Sequence, residues 1–191
     1  MNARGTPRGA VLVGFMGAGK SSVGRELARR LKAEFIDVDN RIEAVAESTI
    51  ADIFQREGEQ AFREKEREAI RDAVSVPGRV IATGGGAFLD AANRRLLKAY
   101  APVIFLEVSP ATALERLSGD TSRPLLQGEN REKAVKELME KRLRAYREAD
   151  YRVSTERVPA NQVAEKVYLL LARETADGPS GESPGRDGRN G

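Results

Sequence analysis

The apolar run Ala10–Phe15 overlaps the segment Gly14-Phe-Met-Gly-Ala-Gly19-Lys20-Ser21, and no other stretch constrains the fold as strongly. A G-x-x-x-x-G-K-[ST] spacing between a strand and a helix is the signature of a phosphate-binding loop. The residue types follow from the chemistry. Glycines permit a tight turn, so that successive backbone N–H groups converge on phosphate oxygens. A helix beginning near Ser21 adds the positive end of its dipole. Lys20 is suited to neutralising the β- and γ-phosphates, and the Ser21 hydroxyl is a hard oxygen ligand for Mg²⁺. The plain alternative is a glycine-rich turn with an exposed lysine. Strand, spacing and helix together argue against it.

Further apolar runs occur at Phe35–Val38, Arg79–Thr83, Val103–Val108 and Tyr151–Thr155. Between them lie stripes with helical spacing: Val23, Leu27 and Leu31; Phe62, Ala69, Ile70 and Ala73; Val135, Leu138, Met139, Leu143 and Tyr146; Val163, Val167, Leu170 and Leu171. Thr49-Ile-Ala-Asp52 fits a capping box, and Ser109-Pro110 places an N-cap before a proline at the first helical position. Alternation of this kind predicts an α/β three-layer sandwich, with a five-stranded parallel sheet between helices. Ligands of such sheets bind at the carboxyl ends of the strands.

With 191 residues the chain suits one domain, placed at 10–173. Residues 1–9 read as a flexible lead-in. Residues 174–191 read as a disordered tail, because DGPSGESPGRDGRNG from 177 has no large apolar residue to bury. The chain has no Cys and no His, which excludes disulfides, thiolate metal sites, Cys nucleophiles and Ser-His-Asp triads. Catalysis must use Asp, Glu, Lys, Arg, backbone amides or a hard metal ion. Net charge is only +3, with acids interleaved among the bases, so no nucleic-acid partner is expected. No apolar stretch is long enough to cross a membrane, and MNARGTPRGA lacks a signal-peptide core. A cytoplasmic protein with no membrane partner is expected. Phosphate-loop GTPases usually carry N-K-x-D, which is missing here, and motor ATPases are generally larger. The pattern favours a small-molecule kinase.

Two more features fall at strand ends. Phe35-Ile-Asp37-Val-Asp39 places two carboxylates at positions i and i+2, about 6.6 Å apart on one side of an extended strand. Two such charges repel unless something positive sits between them, so the pair points to Mg²⁺ and to an attacking hydroxyl. The alternative is that one Asp caps a helix beginning near Arg41. Thr83-Gly84-Gly85-Gly86 ends the third strand and permits close backbone approach to a ligand.

The phosphate loop GFMGAGKSS, the strand end FIDVD, ADIFQREGEQAFREKE, the TGGG loop, Arg123-Pro124-Leu125-Leu126 and Lys141-Arg142…Tyr146 occur in this order. Over about residues 10–170 the chain resembles the shikimate kinases, a family of P-loop NTPases with a nucleoside-monophosphate-kinase-like fold. The resemblance implies Mg²⁺-dependent transfer of the γ-phosphoryl of ATP to the 3-hydroxyl of shikimate, a step of aromatic amino-acid biosynthesis, by a monomer. It implies that Gly17, Ala18, Gly19, Lys20, Ser21 and Ser22 hold the nucleotide phosphates, with Arg116 near adenine. Ser21 and Asp37 correspond to the magnesium site. Asp39 corresponds to the carboxylate that binds a substrate hydroxyl and is proposed as base. Arg63 and Arg142 correspond to the clamp on the substrate carboxylate, Gly84, Gly85 and Gly86 to the loop beside the substrate, and Phe54 and Phe62 to its apolar walls. Lys20, Asp39 and Arg123 form the implied catalytic set.

The residues themselves speak to several of these positions. Arg142 falls on the apolar stripe of its helix, and an inward guanidinium needs an anion. Snorkelling at the stripe edge is the alternative. Arg63 lies three residues before Glu66, spaced for a helical salt bridge, in a charged run that otherwise reads as an exposed face. Residues 118–130 lack periodicity and read as a closing lid carrying Arg123 onto the phosphates, or else as a plain surface loop. Competing readings are a gluconate-like or nucleoside-monophosphate-kinase-like enzyme, and a non-catalytic nucleotide-binding module. The clamp arginines and the glycine triplet speak against the first, and Asp39 together with the arginine pair against the second.

Overall fold

The structure, a computed structural model, describes residues 9–118 and 130–176. Most of the expected lead-in and tail, and loop residues 119–129 with Arg123, lie outside the described residues. Each apolar run forms a strand: β1 (Ala10–Val13), β2 (Phe35–Asp37), β3 (Val80–Ala82), β4 (Val103–Glu107) and β5 (Tyr151–Ser154). All pairings are parallel, in the order β2-β3-β1-β4-β5, with helices on both faces. Central β1 pairs with both β3 and β4, and its four residues are fully buried. That is why its sequence is continuously apolar rather than alternating.

The four stripes lie on α1 (Lys20–Leu31), α4 (Gly58–Ser75), α7 (Arg131–Tyr146) and α8 (Ala160–Ala176). Both anticipated caps form. Thr49 caps α3 (Ile50–Arg56) by accepting the Asp52 N–H at 3.1 Å, and Ser109 caps α6 (Pro110–Arg116) by accepting that of Thr112 at 3.2 Å. One further helix, α5 (Ala91–Tyr100), is capped by Asp90 and follows a 3-10 turn at Ala87–Leu89.

The reading of FIDVD as one strand is corrected. The strand stops at Asp37, and α2 (Val38–Ala46) starts at the next residue. Asp37 Oδ1 accepts from the backbone N–H of Asp39 at 3.1 Å and of Asn40 at 3.5 Å. The cap is therefore Asp37, on a helix that begins three residues earlier than Arg41, and Asp39 sits in its first turn. A carboxylate that can satisfy orphan amides two and three residues on ends the strand before its apolar pattern does.

Register then gathers the site. Leu12 and Asp37 both pair with Ala82, and Thr83 N–H donates to Leu12 O at 3.1 Å. The ends of β1, β2 and β3 are level, so the phosphate loop, the start of α2 and the glycine triplet leave the sheet side by side. Gly14 pins this edge. Its φ is +144°, and a Cβ there would lie 2.5 Å from the Leu106 carbonyl oxygen of β4. Gly14→Ala should cost roughly 2–6 kcal/mol, adding backbone strain to overpacking. Chemical denaturation measures it, and a change within about 0.5 kcal/mol, the level of a bland surface substitution, would contradict the assignment.

Candidate active site

The phosphate loop spans the turn from β1 into α1. Gly17 and Gly19 adopt φ of +77° and +85°, the left-handed values that let the chain curl. The Lys20 ammonium folds back over this curl and donates to the carbonyls of Gly14 at 2.9 Å and Phe15 at 3.0 Å. It thus stands at the mouth of the loop. Ala18 is buried beneath, while Ser21 and Ser22 open the first turn of α1.

Ser21 Oγ donates to Asp37 Oδ2 at 2.5 Å. One oxygen of Asp37 caps α2 and the other faces the phosphate loop. Cap geometry thereby fixes a carboxylate beside a hydroxyl, two hard oxygens of the kind Mg²⁺ takes while keeping several waters. Among the described residues no cluster of three acidic side chains surrounds a candidate cation. The donor set fits an ion completed by water and phosphate oxygens, and not an all-protein cage.

The three glycines after β3 each have a charged side chain where a Cβ would stand. At Gly84 the Cβ position lies 2.6 Å from Asp39 Oδ1 and 3.0 Å from Glu66 Oε1. At Gly85 it lies 3.1 Å from Arg142 Nη1, and at Gly86 2.7 Å from Arg63 Nη1. Side chains from α2, α4 and α7 therefore converge on one bare stretch of backbone. The sequence predicts close approach to a ligand at this loop. The structure adds that these charged side chains themselves occupy the room.

Arg63 is half-buried. Its Nη1 donates to Glu66 Oε2 at 2.8 Å and its Nη2 to Glu59 Oε1 at 3.2 Å, with Cζ 5.2 Å from the Phe62 ring centroid. Phe54 of α3 packs on Phe62 with ring centroids 4.6 Å apart, so both predicted wall aromatics lie beside the predicted clamp. The reading of this run as an exposed face is corrected at Glu66, which is 1% exposed. Sequence reasoning gave Glu66 only the task of pairing Arg63. The missed signal was its spacing, four residues after Phe62 and three before Ala69, on the apolar stripe itself. Burial pushes its carboxyl above the ordinary range, Arg63 pulls it back, and the charges on Asp39 and Asp90 add to the rise.

Arg142 is 6% exposed on the inner face of α7, with Cζ 5.6 Å from the Phe15 ring centroid. This excludes snorkelling. Its Nη1 donates to the Gly85 carbonyl at 3.0 Å, and its Nε is buried with no hydrogen-bond partner among the described residues. Tyr146, one turn on, donates its hydroxyl to the same carbonyl at 2.5 Å. Burial pushes that phenol up to about 12, with Arg142 opposing, so it stays a protonated donor at neutral pH.

Arg116 at the end of α6 stands apart from this cluster and is joined to the phosphate loop itself. It donates to Gly17 O at 3.0 Å and to Thr155 O at 2.7 Å, tying the phosphate loop to the segment after β5. Glu156 in that segment accepts from Ser109 N–H at 3.1 Å and from the Thr112 hydroxyl. The predicted site residues other than Arg123 thus fall into two adjoining groups. One surrounds the phosphate loop, and the other is a carboxylate-and-arginine pocket around the glycine triplet.

A sequence model of the shikimate kinase family matches residues 16–172. The shikimate kinase of Geobacter sulfurreducens is 50% identical over 148 residues, 78% of this chain and 82% of the relative. That of Thermus thermophilus is 44% identical over 163 residues, 85% of this chain and 89% of the relative. The solved shikimate kinase from Acinetobacter baumannii, in complex with shikimate, superposes with a TM-score of 0.85 at 40% identity, covering 88% of this chain and 95% of that one. A gluconokinase from Sinorhizobium meliloti, at 18% identity and a TM-score of 0.56, shares the fold alone. With the family's model spanning most of the chain and relatives this similar over most of their length, this chain belongs to the shikimate kinase family.

Proposed function

We propose that the chain transfers the γ-phosphoryl group of ATP to the 3-hydroxyl of shikimate. The observation that carries this reading is the convergence of Arg63, Arg142 and Asp39 on the glycine triplet, beside the mouth of the phosphate loop. Two guanidinium groups suit a small carboxylate, and an adjacent carboxylate suits hydroxyls. The partner is thus a hydroxylated acid small enough to sit against the Phe54 and Phe62 rings.

Phosphoryl transfer of this kind depends mostly on positioning and charge, in keeping with a site that uses neither His nor Cys. Lys20 leaves the Gly14 and Phe15 carbonyls for the β- and γ-phosphates, while the amides of Gly17 to Ser22 cradle them. Ser21 and Asp37 would hold Mg²⁺, which neutralises phosphate charge when bound. Arg63 and Arg142 fix the acid by its carboxylate, and Gly84–Gly86 allow its ring to approach the backbone. Asp39 orients the 3-hydroxyl and accepts its proton as the new O–P bond forms and ADP leaves. Arg116 lies toward the base, and Arg123 is assigned to the transferring phosphate. The reading is of a monomer, since it calls on no side chain from a second copy. It requires no nucleic acid and no membrane. Among the described residues no helix is long and apolar enough to span a bilayer.

A coupled assay of ADP release tests the reading. Shikimate should support turnover while gluconate and nucleoside monophosphates do not, and equal rates with gluconate would overturn it. Arg142→Ala should raise KM for shikimate by about 100-fold, the cost of one charge-assisted clamp, with KM for ATP changed less than threefold. Equal rises in both would remove Arg142 from the clamp. Asp39→Asn should lower kcat by about 10²–10⁴-fold. A loss under tenfold would take Asp39 out of proton transfer.

A further inference from the structure

The Gly85 carbonyl carries two hydrogen bonds at once, from Arg142 Nη1 at 3.0 Å and from the Tyr146 hydroxyl at 2.5 Å. A carbonyl oxygen has two lone pairs, so both are taken. The donors stand one helical turn apart on the same face of α7. They differ in freedom. Tyr146 is 2% exposed, and its ring stacks on Phe105 of β4 with centroids 5.0 Å apart and planes at 23°, so its hydroxyl is held in place. Arg142 has a long stem, a face laid over the Phe15 ring and a buried Nε without a hydrogen-bond partner among the described residues.

A guanidinium that turns toward a substrate carboxylate weakens its bond to the Gly85 carbonyl. Without a second donor that part-buried oxygen would lose its hydrogen-bond partner on the protein, a penalty set against substrate binding. We propose that Tyr146 is a positioning residue for the acceptor substrate: by holding the Gly85 carbonyl itself, it frees Arg142 to engage the carboxylate. Tyr146 touches no substrate in this scheme and acts through Arg142 alone. The inference rests on the carboxylate clamp proposed above.

The test is Tyr146→Phe, which keeps the stacked ring and removes only the hydroxyl. Steady-state kinetics should show KM for shikimate raised about tenfold, with kcat and KM for ATP each within about twofold of wild type. In an Arg142→Ala background the same substitution should add less than twofold to KM for shikimate, because the residue it serves is gone. Three results would overturn the proposal: an unchanged KM for shikimate, a parallel rise in KM for ATP, or an undiminished penalty in the Arg142→Ala background. Loss of the fold in Tyr146→Phe, read by circular dichroism, would also overturn it, since the hydroxyl would then be a folding element. Failure of the clamp reading is a separate result, because it appears as an Arg142→Ala variant with unchanged KM for shikimate.

Discussion

The pocket depends on the missing side chains at residues 84–86. Three helices far apart in sequence aim charged groups at the end of β3, and the backbone accepts all of them because no Cβ intervenes. Any larger residue would displace Asp39, Glu66, Arg142 or Arg63. The triplet is therefore a packing device as much as the ligand contact proposed for it. It lets like charges such as Asp39 and Glu66 crowd one strand end while the guanidinium of Arg63 sits on the other Glu66 oxygen. Bound substrate would complete the charge balance by placing a carboxylate against the arginines.

The junction of β2 and α2 joins folding to chemistry in a similar way. One oxygen of Asp37 satisfies the first amides of α2, and that bond turns the other toward Ser21. The same cap sets the position of Asp39 in the first turn of the helix. A residue that ends a strand thus places both the carboxylate proposed for Mg²⁺ and the one proposed as proton acceptor. Arg116 joins the phosphate loop to the segment after β5 in the same economical manner.

Much of this was legible in the sequence because it is local. The phosphate loop, all five strands, the four striped helices and the caps at Thr49 and Ser109 follow from neighbouring residues and their spacing. What was not legible depended on tertiary placement. Val38 is apolar enough to prolong a strand or to begin a helix, so only the Asp37 cap decides that Asp39 leaves the sheet. Glu66 looks like its exposed neighbours in residue type, and its burial follows from where α4 meets the glycine triplet. Arg142 was readable because its neighbours on the stripe are apolar. Tyr146 was readable as core, but the target of its hydroxyl belongs to a loop 61 residues away.

The fold alone does not choose the acceptor, since a gluconokinase shares it. In the proposed clamp the choice rests on two arginines meeting one carboxylate. Comparing kcat/KM for shikimate with that for its methyl ester tests this most directly, because the ester keeps every hydroxyl and loses the charge. The clamp predicts a loss of about 100-fold or more, the worth of charge-assisted hydrogen bonds in a partly buried site. Equal efficiency with acid and ester would contradict it.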